Sequence, residues 1–271
     1  MRHAGRKLLL AIVGSTMMAK AQLHSTPSPP SFEVASIKLN RSGERIMLFQ
    51  PARGGRFTAT NCSLSLLIQY AYDVMQFQIS GAPDWVKSER YDIATKAEGD
   101  PQVDELRAML QRLLEDRFQL QHHWDTREAT VYDLVVSKPG RLKESEPGDC
   151  PSILSPSGSQ PGAPPDDAPC GALRNSPGRT KGYKLTAADL AGSLSFFLGR
   201  LVRDKTALTG KYDIDLRWTP ESLQMQSPAP AEPAGPSIFT AIQEQLGLKL
   251  KSAQGPVKTL VVDRVEKPSG N

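Results

Sequence analysis

The chain has 271 residues, a formal net charge of +4 and a hydrophobic fraction of 39%, enough to bury one large core or two smaller ones. Four of its 33 basic residues (Arg2, Arg6, Lys7 and Lys20) lie in an N-terminal stretch that holds no acid, so the remainder balances its 29 acids. A neutral chain has no electrostatic footprint for nucleic acid or anionic lipid, and composition excludes both as partners.

The first residues read as a secretory leader (1–21). A basic start is followed by an apolar run from Leu8 to Ala19 and the small-x-small exit Ala19-Lys20-Ala21, the three parts of an export signal. The run is about 12 residues where a bilayer span needs about 20, so cleavage before Gln22 is expected, with a retained anchor as the alternative. No cysteine follows the cleavage point to take a lipid, and no second long apolar run occurs. The mature chain is expected without a membrane span, in the periplasm or outside the cell.

Residues 22–31 form a Pro/Ser linker without periodicity. Phe32 to Leu39 alternates apolar and polar residues as a half-buried strand does. Gly54-Gly55 reads as a turn, and Arg56 to Thr60 as a second strand. Asn61 or Ser63 caps a helix to about Val74, with Leu64, Leu67, Ile68, Ala71 and Tyr72 on one face. Phe77 to Ile79 is a short strand ended by Gly81 and Pro83, and the segment around Trp85 has no assignment. Arg90 to Ala97 alternates again. From Asp104 a helix carries Leu106, Met109, Leu110, Leu113, Leu114 and Phe118 as one stripe. Two strands follow, Phe118 to Trp124 and Thr130 to Ser137, joined by a hairpin turn through Asp125-Thr126-Arg127-Glu128.

Residues 139–180 are rich in Pro, Gly and Ser and have no period, which marks a long loop between units. Cys150 and Cys170 flank a stretch that buries almost nothing, and in an oxidising compartment such a pair reads as a disulfide. Cys62 reads as a small buried residue, or as a leftover reactive thiol. Beyond the loop, Tyr183 to Thr186 is a strand, and Thr186 or Asp189 starts a helix carrying Leu190, Leu194, Phe197 and Leu198. Tyr212 to Trp218 is a strand, 219–236 is a Pro-rich insert, and Ser237 to Leu246 is a helix. Leu248 to Leu250 and Thr259 to Val265 are two strands around Gly255-Pro256. The expected fold is therefore α+β, two tandem units (32–138 and 181–268) of strand, helix, strand, strand, helix, strand, with antiparallel or mixed sheets. Tyr91-Asp92-Ile93 aligns with Tyr212-Asp213-Ile214, and Leu134-Val135-Val136 with Leu260-Val261-Val262, as in a duplicated unit.

Several of these stretches carry a resemblance. Phe32-Glu33-Val34-Ala35-Ser36-Ile37-Lys38, Gly55-Arg56-Phe57-Thr58-Ala59-Thr60-Asn61, Ile79-Ser80-Gly81-Ala82-Pro83-Asp84-Trp85, Leu113 to Phe118 and Asp204 to Asp213 resemble the markers of a large paralogous family of uncharacterised exported proteins of Acidobacteria, the Solibacter type. The resemblance runs from Phe32 to about Pro268. It implies no activity and no catalytic residues. Some relatives join a similar region to a membrane metallopeptidase of the β-lactam-sensor type, which implies a sensing or interaction role outside the cytoplasm; the membrane helices and zinc motif of that enzyme are not in this sequence. Each half is also similar in layout to the short N-terminal domain of secretins and TonB-dependent receptors, a likeness of pattern that does not fix function.

No catalytic or metal motif stands out. His122 and His123 are neighbours on a strand and point to opposite faces, so they do not converge on one metal. Glu115-Asp116 and Asp166-Asp167 read as solvated charges, because acid–base work needs one carboxyl raised by burial. Neither G-x-S-x-G nor S-x-x-K occurs, and no cofactor is implied. Trp85, Tyr91 and Trp218, near strand ends, are the candidates for contact with a protein partner outside the cytoplasm. The expectation is a non-catalytic binding module, with a hydrolase of unrecognised type or a small-ligand sensor as alternatives.

Overall fold

A computed structural model describes residues 30–44, 46–147, 170–220 and 235–268. The fold is α+β, with helices packed on three four-stranded sheets.

The first sheet is built from β1 (Val34–Leu39), β2 (Leu48–Arg53), β3 (Arg56–Ser63) and β5 (Arg90–Lys96), antiparallel and in the order β1-β5-β3-β2. Gly54 and Gly55, both at positive φ, turn β2 into β3. Helix α1 (Leu64–Tyr72) starts where the Ser63 hydroxyl accepts the Leu66 N–H at 3.3 Å and stops at left-handed Asp73. Between the strands, a 3-10 turn over Gln76–Gln78 replaces most of the short strand expected at Phe77–Ile79 and leads into β4 (Ile79–Ser80); the single turn α2 (Trp85–Ser88) follows where the sequence offered no assignment. Helix α3 (Val103–Phe118) lays the predicted stripe from Leu106 to Phe118 onto the sheet, with Asp104 and Glu105 in its first turn, where the helix dipole favours them.

The third sheet repeats this plan. Its strands are β7 (Lys143–Glu144), β8 (Leu173–Ser176), β9 (Arg179–Leu185) and β11 (Tyr212–Arg217), in the order β7-β11-β9-β8. Helix α4 (Ala187–Leu198) opens with a capping box between Thr186 and Asp189 and closes at left-handed Gly199, and α5 (Ile238–Gln245) is capped by Ser237. The loop expected over 139–180 therefore contributes β7, β8 and the start of β9; its residues 148–169, with Cys150, Asp166 and Asp167, lie outside the described residues.

Matching strands carry a matching device. Asn61 near the end of β3 and Lys184 near the end of β9 both adopt left-handed φ, 55° and 56°, a conformation that costs a non-glycine residue roughly 1–2 kcal/mol. Each N–H turns onto a carboxylate of the facing strand, Asn61 onto Asp92 at 2.9 Å and Lys184 onto Asp213 at 3.4 Å. The same oxygens accept the Asn40 amide and the Ser145 hydroxyl. The aligned Tyr-Asp-Ile triplets are thus two copies of one clamp that holds a strand kink just before a helix.

The middle sheet departs from expectation. β6 (Gln121–Val136) is one unbroken strand of 16 residues, and β12 (Leu248–Arg264) is one of 17. No hairpin forms at Asp125–Glu128, and no break at Gly255-Pro256. The two apparent breakers face each other across an antiparallel ribbon, with Glu128 opposite Pro256 and Ala129 opposite Gly255. Proline is tolerated there because β12 has a strand on only one side at that point. At one end of the ribbon β4 runs parallel to β12; at the other, β10 (Val202–Asp204) runs parallel to β6. Leu260 and Val262 from the chain's end complete the first core, while Leu134 from β6 joins the second with Leu190, Leu194 and Ile242. Each core thus borrows a strand end from the other half.

Candidate functional site

The side chains with the most chemical potential are placed for packing. His122 faces α1, its ring edge-on to Tyr72 at 4.5 Å and its Nδ1 3.5 Å from the Tyr72 hydroxyl; burial lowers its pKa. His123 points to the opposite face and meets the Asp263 carboxylate at 2.9 Å. The two do not converge, as strand alternation requires. Among the described residues no group of three or more His, Cys, Asp or Glu side chains is arranged to hold a metal ion. Cys62 is 0% exposed, donates to the Ser63 carbonyl, and has its thiol pushed up to about 11 by burial, with Arg90 pulling weakly the other way. It is a packed thiol at neutral pH, the first of the two sequence readings. Asp116 of the helical acid pair is bound to Arg112 at 2.9 Å on the surface.

The three aromatic candidates separate. Tyr91 is 2% exposed, edge-on to Phe118 at 5.4 Å, with its hydroxyl donating to Glu89. Tyr91 is thus corrected from partner contact to core residue: strand alternation turns it inward, and its one polar atom is satisfied locally. Trp85 lies half-buried against the same core, and the Lys267 ammonium sits 5.7 Å from its ring. The far end of the chain therefore already covers part of the Trp85 surface. Trp218 opens onto a cavity.

That cavity, about 650 Å³, lies at one end of the second half. The β8–β9 turn (Ser176, Pro177, Gly178), the last turn of α4, the exit of β11 and the first turn of α5 enclose it. Trp218 stands edge-on to Phe197 at 4.7 Å, and Phe196 and Phe239 complete an aromatic wall while remaining 66% and 41% exposed. Main-chain bonds set the walls: the Trp218 N–H donates to the Gly178 carbonyl and the Thr219 N–H to Pro236, both at 2.9 Å. Among the described residues the lining holds no ionisable side chain; its polar groups are the hydroxyls of Ser176, Thr219 and Ser237 and the amide of Asn175. Among the described residues the lining therefore offers aromatic area and a few hydrogen-bonding groups.

Phe196, Phe197 and Phe239 were not among the residues singled out as candidate contacts. The signal was available for two of them. Phe196 falls off the Leu190–Leu194 stripe of α4 and Phe239 off the Ile238–Ile242 stripe of α5, and apolar residues that miss the core face mark a binding surface. A second cavity of about 660 Å³ lies between the halves and shares Asn175 and Phe196 with the first.

The profile of one protein family, described as "Protein of unknown function (DUF3738)", matches residues 65–265. No curated protein and no solved structure matches the chain.

Proposed function

Starting from a chain that belongs to the DUF3738 family of proteins of unknown function, we propose that it is an exported, non-catalytic binding module acting outside the cytoplasm. The observation that carries the binding role is the cleft of Trp218, Phe197, Phe196 and Phe239, aromatic and, among the described residues, open and without an ionisable side chain. Export is supported by the leader-like first 21 residues and by the likeness to exported Acidobacterial proteins. No helix among the described residues is long and apolar enough to cross a membrane. The pair Cys150–Cys170 belongs to this proposal as a disulfide suited to an oxidising compartment.

The test uses the processed protein from its native cell envelope. Affinity capture with purified mature chain should recover a discrete partner that is lost with Trp218→Ala and with Phe239→Ala; thermal stability should change little in Phe239→Ala, whose ring is 41% exposed, and fall in Trp218→Ala, whose ring packs partly on the second core. Deep anchors of this kind lose about 2 kcal/mol or more on truncation, some thirtyfold in affinity. Equal recovery by wild type and both variants overturns the assignment of the cleft, and a processed protein found in the cytosol overturns the location.

A small-ligand sensor is the second reading, favoured by cavity size, since about 650 Å³ lies within the range of small-molecule sites. A thermal shift with low-molecular-weight envelope extract, without a protein partner, would select it.

A further inference from the structure

The open side of the third sheet bears on what is bound. β8 closes that sheet: β9 pairs one side of it, and among the described residues no strand pairs the other. Alternate N–H and C=O groups of such an edge point outward and pair readily with an extended chain. Alongside runs α4, whose outward face carries Ala188, Gly192 and Phe196, four residues apart and therefore in a row. With Leu173 and Asn175 of β8, and Met75 from the first half, they line the trough of about 660 Å³, which opens at Phe196 and Asn175 into the aromatic cleft.

Gly192 leaves the trough open beside α4. Glycine inside a helix lowers stability, and the fold demands it only for positive φ or a close approach. Neither holds here: Gly192 is not among the left-handed glycines, and a Cβ placed on it meets nothing within 4 Å. Among the described residues nothing fills the space that a side chain at Gly192 would take.

We infer that the β8–α4 trough accepts an extended segment of a partner protein as an added strand, apolar side chains toward α4 and acidic side chains outward. This deepens the proposed binding role and rests on it. The polarity follows from register. Thr180, opposite Asn175, is buried toward Ser193 of α4, so Asn175 and Leu173 face the helix and Arg174 faces out. Arg174 stands directly opposite Lys181, with Arg179 two residues along β9 on the same face; Arg179 is bound to Asp215 of β11 at 2.9 Å, so the outer side of this edge carries three cations against that one carboxylate. An added strand places every second residue beside those cations, where acidic side chains are favoured. Its other residues face Phe196 and the small Ala188 and Gly192. Strand addition of this kind draws affinity from main-chain pairing and selectivity from alternate side chains.

The experiment titrates the full mature chain with a labelled peptide in which leucine or phenylalanine alternates with glutamate. Saturable binding by fluorescence anisotropy is expected, with hydrogen-exchange protection appearing in β8. N-methylation of alternate peptide amides should weaken binding roughly tenfold or more, and exchanging glutamate for lysine should weaken it as well. Gly192→Leu should raise the thermal midpoint, because the helix gains a better helix former, and lower affinity, because the trough is filled. Opposite signs separate occlusion from misfolding. Absence of binding, unchanged affinity on N-methylation, or full affinity in Gly192→Leu overturns the inference. If Trp218→Ala alone weakens binding, the aromatic cleft stands and strand addition falls. A dimer of the chain that Gly192→Leu abolishes would assign the trough to a second copy and overturn the peptide partner.

Discussion

Single residues in this protein mostly stabilise local geometry. Burial alone would raise the Asp213 carboxyl, but the Ser145 hydroxyl, the Lys184 N–H and the Lys143 ammonium outweigh it and hold the group below its ordinary 3.8. Asp133, bonded to the Arg203 guanidinium at 2.6 Å, is held down too. A carboxyl lowered by folding contributes stability above its unfolded value and loses it as pH falls through the folded one. Acid unfolding is therefore expected below about pH 4, and Asp213→Ala should flatten that acid limb. At neutral pH the same change should cost about 1–3 kcal/mol, since it removes the charged acceptor that the Ser145 hydroxyl and the Lys184 N–H share, while Lys184 keeps its bond to the Ser145 oxygen at 3.2 Å; chemical denaturation across pH measures both effects. Cys62 is expected to resist alkylation in the native protein and to react on unfolding. With Cys150 and Cys170 bridged, mass analysis should show one labelled thiol in denaturant without reductant and three after reduction. Three without reductant would remove the bridge, and with it about 3 kcal/mol of chain-entropy stabilisation.

Among the elements, the ribbon of β6 and β12 dominates. β12 serves both cores: it brings Leu248 to the second and Leu260 to the first, and both side chains are 1% exposed or less. Leu260→Ala should cost about 2–5 kcal/mol, the range for a fully buried leucine. It should lower the stability of the first half although it lies near the chain's end, and hydrogen exchange in α1 and α3 would report the loss. The periodic elements were legible in the sequence for a local reason: the stripes of α1 and α3 and the alternation of β5 and β11 repeat within one element. Ser63 and Thr186 could be named as caps, each with one competitor, because capping involves neighbours within three residues. The ribbon's middle was not legible. Asp125 to Glu128 and Gly255-Pro256 carry turn chemistry, and only their pairing with one another, more than a hundred residues apart, keeps both strands extended.

As a whole molecule, the chain joins two sheets of one topology, β1-β5-β3-β2 and β7-β11-β9-β8, through a third that belongs to both. A single cooperative thermal transition is expected, and either half expressed alone should fail to fold, since each lacks a strand of its own core; a stable isolated half would contradict the interlock. The candidate site belongs to this scale as well. Trp218 could be picked out as an aromatic at a strand end, but so could Tyr91, and the two differ only in what surrounds them. The α+β composition, the helices other than α2, most strands and the repeat of the Tyr-Asp-Ile triplet could be read from the residues alone, because those depend on periods and local patterns; the clamp that the triplets form spans 29 to 68 residues and could not. Tertiary structure alone decided the continuity of the ribbon, the exchange of strand ends between cores, and which aromatics open onto a cleft. Those outcomes depend on contacts between distant segments, and no local pattern of residues encodes which distant segment arrives.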